Sequence, residues 1–282
     1  MRLAIALSLI CSTAFAQPYE RIASAGGSLT EIVMALGAGD RLVGVDSTST
    51  YPQSVTELPG IGYVRALASE GLLTLEPDLV LGESDTGPQT VLDQLTAAGV
   101  KIAIAPHGEG AESVPEKMRF VGAQLGLKAE ADAMIAEYDA AMERIAASLQ
   151  NATRKPRVLF ILSMQNGAPI VGGEGSSADA MIKLAGGANA AAGFEGFKPM
   201  NREAILAAAP EIILMMNGHA DRLGGVDEVL SLPEIALTPA GQNKHAVTMD
   251  GMLLLGFGPR TPQAVRHLAK ELHPEDADRL GL

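Results

Sequence analysis

The chain of 282 residues holds one cysteine, no tryptophan, four tyrosines and six phenylalanines. Each shortage excludes something. Cys11 falls inside an N-terminal segment that the sequence marks for removal, so the mature chain has no disulfide, no thiolate nucleophile and no cysteine metal site. Aromatic residues make up 4% of the chain, so its cores must be built from Ala, Leu, Ile, Val and Met. Positive charge is scarce too: 21 Lys and Arg stand against 33 Asp and Glu. That balance argues against nucleic acid or an anionic membrane surface as the main partner. No apolar run approaches the roughly 20 residues that span a bilayer. Catalytic signatures are missing as well. Gly26-Gly27-Ser28 lacks the Lys-Ser/Thr ending and the glycine spacing of nucleotide loops, no His-Glu-x-x-His occurs, and no Gly-x-Ser-x-Gly elbow joins a strand to a helix. The five histidines are scattered. These gaps speak against an enzyme and against a carrier of free metal ions.

What is present begins with an export signal. Arg2 supplies positive charge, Leu3 to Ile10 an apolar stretch, and Ala14-Phe15-Ala16 the small residues of a cleavage site, so residues 1–16 read as a secretory signal peptide. Ile10 is too bulky for the position before a lipidated Cys11. Cleavage after Ala16 places a mature chain starting at Gln17 in the periplasm, with 20 basic and 33 acidic residues.

The mature chain reads as α/β with two lobes. In residues 17–127, short apolar strands such as Arg21–Ser24, Leu42–Val45, Leu79–Leu81 and Lys101–Ala105 alternate with helical stretches, which implies a parallel sheet covered by helices. Ser28 and Glu31 have the spacing of a capping box for the first helix. Residues Ala129 to Leu149 contain neither Gly nor Pro and predict a helix of about 30 Å, here bounded as a linking segment 128–152. A second βα series fills 153–282, opening at Arg157–Leu162. An internal echo supports two similar lobes. Glu70 precedes Pro77-Asp78-Leu79-Val80-Leu81 by seven residues, and Glu203 precedes Pro210-Glu211-Ile212-Ile213-Leu214 by the same seven. Two such lobes with facing strand ends create a ligand cleft.

Five segments carry a resemblance: Ala25–Val33 through Val45, Gly60-Ile-Gly-Tyr-Val-Arg65, Leu75-Glu-Pro-Asp-Leu-Val80, Ala178–Asn189, and Gly256-Phe-Gly-Pro-Arg-Thr-Pro262. Together they resemble the haemin-binding periplasmic proteins of bacterial haem ABC importers, within the helical-backbone class that also carries vitamin B12 and ferric siderophores. The resemblance spans essentially the whole mature chain. It implies Rossmann-like lobes joined by one long helix with limited motion between them. It also implies haem as the transported ligand, a membrane permease as partner, and a monomer without catalytic activity. A corrinoid or ferric-siderophore carrier on the same fold is the alternative.

The resemblance also assigns roles. Tyr63, on its own a tyrosine in a glycine-containing loop, becomes the axial ligand of the haem iron. A free phenol titrates near pH 10, and ferric iron together with a nearby cation favours the phenolate. Arg65 can supply that cation or pair with a haem propionate. Tyr19, Tyr51 and Tyr138 have weaker claims. On the opposite lobe Met164 offers a thioether at a strand end, where packing is the commoner role, and His219 follows the strand Ile212 to Met216, where a solvated loop is the commoner role; five-coordinate haem through Tyr63 alone is the default expectation. Arg260, before a helix starting near Thr261, suits a propionate or an ordinary exposed cap. Glu70 and Glu203 are the residues that would dock onto permease arginines.

Overall fold

A computed structural model describes residues 19–108 and 110–281; the expected signal segment 1–16 lies outside them. In chain order the first lobe runs β1 (Ile22–Ala25), α1 (Gly27–Ala35), β2 (Leu42–Val45), β3 (Gly62–Tyr63), β4 (Ala66–Leu67), α2 (Ser69–Thr74), β5 (Leu79–Gly82), α3 (Gln89–Ala97), β6 (Lys101–Ile104) and α4 (Ser113–Leu125). Its sheet is wholly parallel in the order β2-β1-β5-β6. β1 and β5 are buried along their whole length, as strands covered by helices on both faces must be.

Gly126 closes α4 in a left-handed conformation, with φ of 72°, and α5 (Lys128–Leu149) follows. Its 22 residues extend about 33 Å. Ala131, Ile135, Tyr138 and Ile145 form its buried stripe; their spacing is that of one helical face. The stripe packs on α4 from the first lobe and on a C-terminal helix from the second. Burying a residue such as Ile145 in this way contributes roughly 1.5–3 kcal/mol.

The second lobe contains β7 (Arg157–Gln165), β8 (Ala168–Gly172), α6 (Ser177–Leu184), β9 (Ala188–Asn189), β10 (Phe197–Pro199), α7 (Arg202–Ala208), β11 (Ile212–Met216), α8 (Asn217–Arg222), α9 (Val226–Ser231), α10 (Pro239–Gln242), β12 (Ala246–Met249), α11 (Gly251–Leu255), α12 (Thr261–Leu272) and α13 (Ala277–Leu280). The strand order is β10-β8-β7-β11-β12, with β9 beside β7. β7, β11 and β12 run parallel, whereas β8 turns back on β7 and β10 on β8. This hairpin lies beyond the strand Arg157–Leu162 read from the sequence. Asn166 and Gly167 make its turn with positive φ at both positions, the pairing that suits a tight hairpin.

One apolar core runs through both lobes. It joins Ile22 and Leu29 of the first, Met118 and Ile145 of the helices between, and Phe160, Leu214, Phe257 and Val265 of the second. Separate cores lie on the outer faces of the two sheets. Buried polar contacts staple the same junction. Glu31 does not complete a capping box: the N-cap of α1 is Gly26, without a side-chain cap. The Glu31 carboxylate instead receives Arg260 at 2.9 and 2.5 Å from the other lobe. Ser28 donates to Glu83. Lys117, nearly fully buried, donates to Ser28 Oγ at 3.0 Å and reaches both Glu83 and the Gly256 carbonyl at 3.4 Å. Tertiary pairing thus takes both side chains that local spacing assigned to a cap, Glu31 by Arg260 of the other lobe and Ser28 by Glu83 and Lys117 of its own.

Candidate functional site

The C-terminal ends of the two parallel sheets meet where the polypeptide leaves β1 and β12. Gly27, just past β1, has no room for a side chain: a Cβ there would lie 2.6 Å from Met252 Cε of the second lobe and 2.6 Å from the Thr48 carbonyl. On the first-lobe side of this junction, two of the chain's four tyrosines stand out, Tyr51 at 47% and Tyr63 at 43% exposure. In a protein this poor in aromatic residues, exposed rings at one edge are costly unless something covers them.

Tyr63 sits in the β3–β4 hairpin, which is fastened to the edge of the sheet on both sides of the ring. The Ser47 N–H donates to the Gly62 carbonyl at 2.8 Å, and the Val64 N–H donates to Asp46 Oδ2 at 3.2 Å. Gly62 adopts φ of 100° and a Cβ there would lie 2.7 Å from the Ala66 carbonyl, so the hairpin needs glycine at this position. The backbone is therefore fixed while the phenol projects outward. Arg65 occupies the turn, and its Nε lies 2.6 Å from Asp85 Oδ2, an exposed pair. Such pairs contribute little on their own, so the guanidinium can exchange partners readily.

Tyr51 has a different setting. The Arg260 guanidinium lies 3.7 Å from the centre of its ring, within cation–π range. Burial alone would lower the pKa of Arg260, but the hydrogen bonds and charge of Glu31 outweigh it and raise it. Arg260 precedes α12 as expected, is largely buried, and lines a groove of about 680 Å³ beside α5 together with Met134 and Tyr138. Tyr138 is buried, its hydroxyl donating to the Ala111 carbonyl at 3.0 Å.

The second-lobe edge is lined by thioethers. Met164 lies near the end of β7, Met216 ends β11, and Met252 lies in α11; all three are half-buried. His219 lies in α8, directly after β11, and is half-buried. Desolvation first, and the charge of Arg222 second, push its pKa down, which leaves the imidazole neutral and competent as a ligand. Glu70 and Glu203 are both exposed and both lie in the first turn of a helix, α2 and α7. The helices precede β5 and β11, so the echo in sequence is an echo in position.

Sequence reasoning overlooked Asp46, the Glu31–Arg260 pair, and Met216 and Met252. A signal for Asp46 existed: Asp-Ser-Thr-Ser after an apolar strand is the composition of a side-chain-capped turn. The interlobe pair had no local signal. Among the described residues no group of three or more His, Cys, Asp or Glu could hold a bare metal ion. A metal arriving inside a macrocycle needs only one or two axial donors.

Comparison with known proteins places this geometry. The periplasmic heme-binding protein RhuT from Roseiflexus sp. RS-1 superposes with a TM-score of 0.87 and 39% identity, over 93% of this chain and 99% of that one. An uncharacterised ABC transporter substrate-binding lipoprotein of Bacillus subtilis is 24% identical over 263 residues, 91% of this chain and 81% of the relative. The vitamin B12-binding protein of Yersinia pseudotuberculosis is 40% identical, but over 101 residues, 36% of each chain. The family model described as periplasmic binding protein matches residues 22–253, and the chain belongs to the periplasmic binding protein family.

Proposed function

We propose that this chain binds haem in the periplasm and delivers it to an ABC-type importer, with Tyr63 as the axial ligand of the iron. The observation that carries the reading is Tyr63 itself: a phenol 43% exposed on a backbone anchored at both flanks, at the meeting edge of two lobes. The resemblance to RhuT over nearly the whole chain supports haem as cargo. The likeness to the vitamin B12-binding protein covers about a third of the chain and supports the shared scaffold more than a corrinoid cargo.

Met164 and His219 stand on the opposite wall, where either can approach the second axial position. Arg65 and Arg260 already hold Asp85 and Glu31, so a haem propionate must share or displace a carboxylate. The exposed Arg65–Asp85 pair is the easier to exchange; Arg260 is tied into the lobe junction. Residues 17–127 and 153–282 act as lobes about the linking segment 128–152. The protein works as a monomer, needs no chemical step, and does not engage nucleic acid. Its signal peptide is removed on export.

Visible absorption titration of the purified protein tests the cargo. Haemin is expected to give a saturable spectrum with the charge-transfer features of phenolate-bound ferric haem, while cyanocobalamin and a ferric siderophore bind much more weakly. Tighter binding of either competitor would overturn the assignment. Docking through Glu70 and Glu203 has its own test: Glu70→Arg with Glu203→Arg should abolish transport into vesicles carrying the cognate permease and leave haemin binding within about twofold, because both charges are exposed on the outer helices.

A further inference from the structure

We infer that Asp46 is the positioning residue of the haem site, holding Tyr63 in place through the peptide that follows it. The inference rests on Tyr63 being the iron ligand. Asp46 lies just past β2 and is 2% exposed, yet among the described residues no cation pairs with it. Its charge is instead met by directed donors. Oδ1 accepts from the Gly26 N–H at 3.0 Å and from Ser49 Oγ at 3.0 Å; Oδ2 accepts from the Thr48 N–H at 3.1 Å and the Val64 N–H at 3.2 Å; and the Thr48 hydroxyl reaches both oxygens at 2.9 Å. A buried carboxylate without a counter-ion is tolerated only when donors satisfy its lone pairs this fully.

The donors come from three places that must keep register at the cleft edge: the turn entering α1, the loop after β2, and the hairpin bearing Tyr63. Behind them a chain of buried hydroxyls continues, with Thr30 Oγ1 2.7 Å from Ser49 Oγ and 2.8 Å from Ser24 Oγ. The apolar anchoring of the hairpin is separate: Ile61, Val64 and Leu67 are buried in the outer core of the first lobe. What the carboxylate adds is direction. It fixes the Val64 amide, and so the orientation of the adjoining Tyr63 residue, relative to the rest of the lobe. Ligand geometry held by an outer partner in this way commonly controls metal-site affinity.

The discriminating substitution is Asp46→Asn. An amide keeps the size of the side chain but turns one acceptor into a donor, which must then face a backbone N–H. We expect haemin to leave Asp46→Asn about tenfold faster than the unaltered protein, the equivalent of one lost charge-assisted hydrogen bond. The phenolate charge-transfer band should broaden or shift at the same time. Thr238→Val, which removes a buried cap in the second lobe far from the hairpin, serves as the stability control. It should lower Tm without altering the rate of haem loss or the band.

Unchanged haem loss and an unchanged band in Asp46→Asn, with Tyr63→Ala abolishing that band, would overturn the inference and leave the cargo assignment standing. If Tyr63→Ala itself leaves the band intact, the ligand assignment falls and this inference with it. Should Asp46→Asn not fold, hydrogen exchange of the unaltered protein decides: the Val64 amide is expected to be protected to the level of the sheet, and rapid exchange there would defeat the proposal.

Discussion

The two walls of the cleft are built from opposite materials. The first-lobe wall is polar underneath, with Ser24, Thr30, Asp46 and Ser49 all buried and mutually hydrogen-bonded, and it presents two tyrosine rings. The second-lobe wall presents Met164, Met216 and Met252, with Met216 packed against Gly251. Directed hydrogen bonds tolerate small displacements poorly, whereas unbranched thioethers fill whatever space they are given. One wall is therefore rigid and the other adaptable.

The largest expected effect tests what holds the two lobes together. Arg260→Ala leaves the largely buried Glu31 carboxylate without its partner and should destabilise the protein by about 3–5 kcal/mol in urea unfolding. Adding Glu31→Gln should recover a large part of that loss. If the single change costs nothing, the lobes are held by the shared apolar core alone.

Next comes the polar wall. Tyr63→Ala should weaken haemin binding about 100-fold, close to 2.7 kcal/mol, while Tm stays nearly unchanged because the side chain is exposed. A large fall in Tm would mean that the ring is structural, and the contrast between the walls would fail.

A smaller effect belongs to the rear of the second lobe. His273 is buried at the end of α12, and its ring nitrogens make no hydrogen bond in the structure. Desolvation lowers its pKa, while the nearby carbonyls of Ala185 and Gly186 and the charge of Asp276 oppose the shift without cancelling it, and Arg154 adds to it. The unfolded chain then binds a proton that the folded one refuses, so stability falls as pH drops below about 6.5. Thermal unfolding of His273→Phe between pH 7 and 5 should show a shallower slope than the unaltered protein. An identical slope would assign the acid sensitivity elsewhere.

The smallest effect is expected on the adaptable wall. Met164→Leu, Met216→Leu and Met252→Leu should each cost less than about 1.5 kcal/mol of stability and alter haem loss only slightly. A large change in spectrum from Met164→Leu alone would turn that residue from packing into an axial ligand and erase the asymmetry.

Legibility in the sequence followed the same division. The parallel strands, the long helix and the paired Glu70 and Glu203 were readable because each rests on local periodicity or on punctuation by Pro and Gly. The β7–β8 hairpin was missed although Asn166-Gly167 announced it, since the strand Arg157–Leu162 already accounted for the apolar run and β7 continues to Gln165. Glu31 was misread because its spacing from Ser28 fits a cap, and its true partner Arg260 lies 229 residues away. The glycine-containing loop that carries Tyr63 was legible in the sequence, and the structure folds it as the β3–β4 hairpin. The carboxylate behind it was not, because a buried Asp after a strand looks like any other turn residue until its donors are seen.

The methionine wall has a chemical consequence. Thioethers open to solvent are readily converted to sulfoxides. Met118 and Met181, sealed at 0% exposure in the shared core, are shielded from that fate. Oxidative wear would therefore begin at the half-buried methionines of the second-lobe edge, turning an accommodating apolar surface into a polar one while the scaffold stays intact.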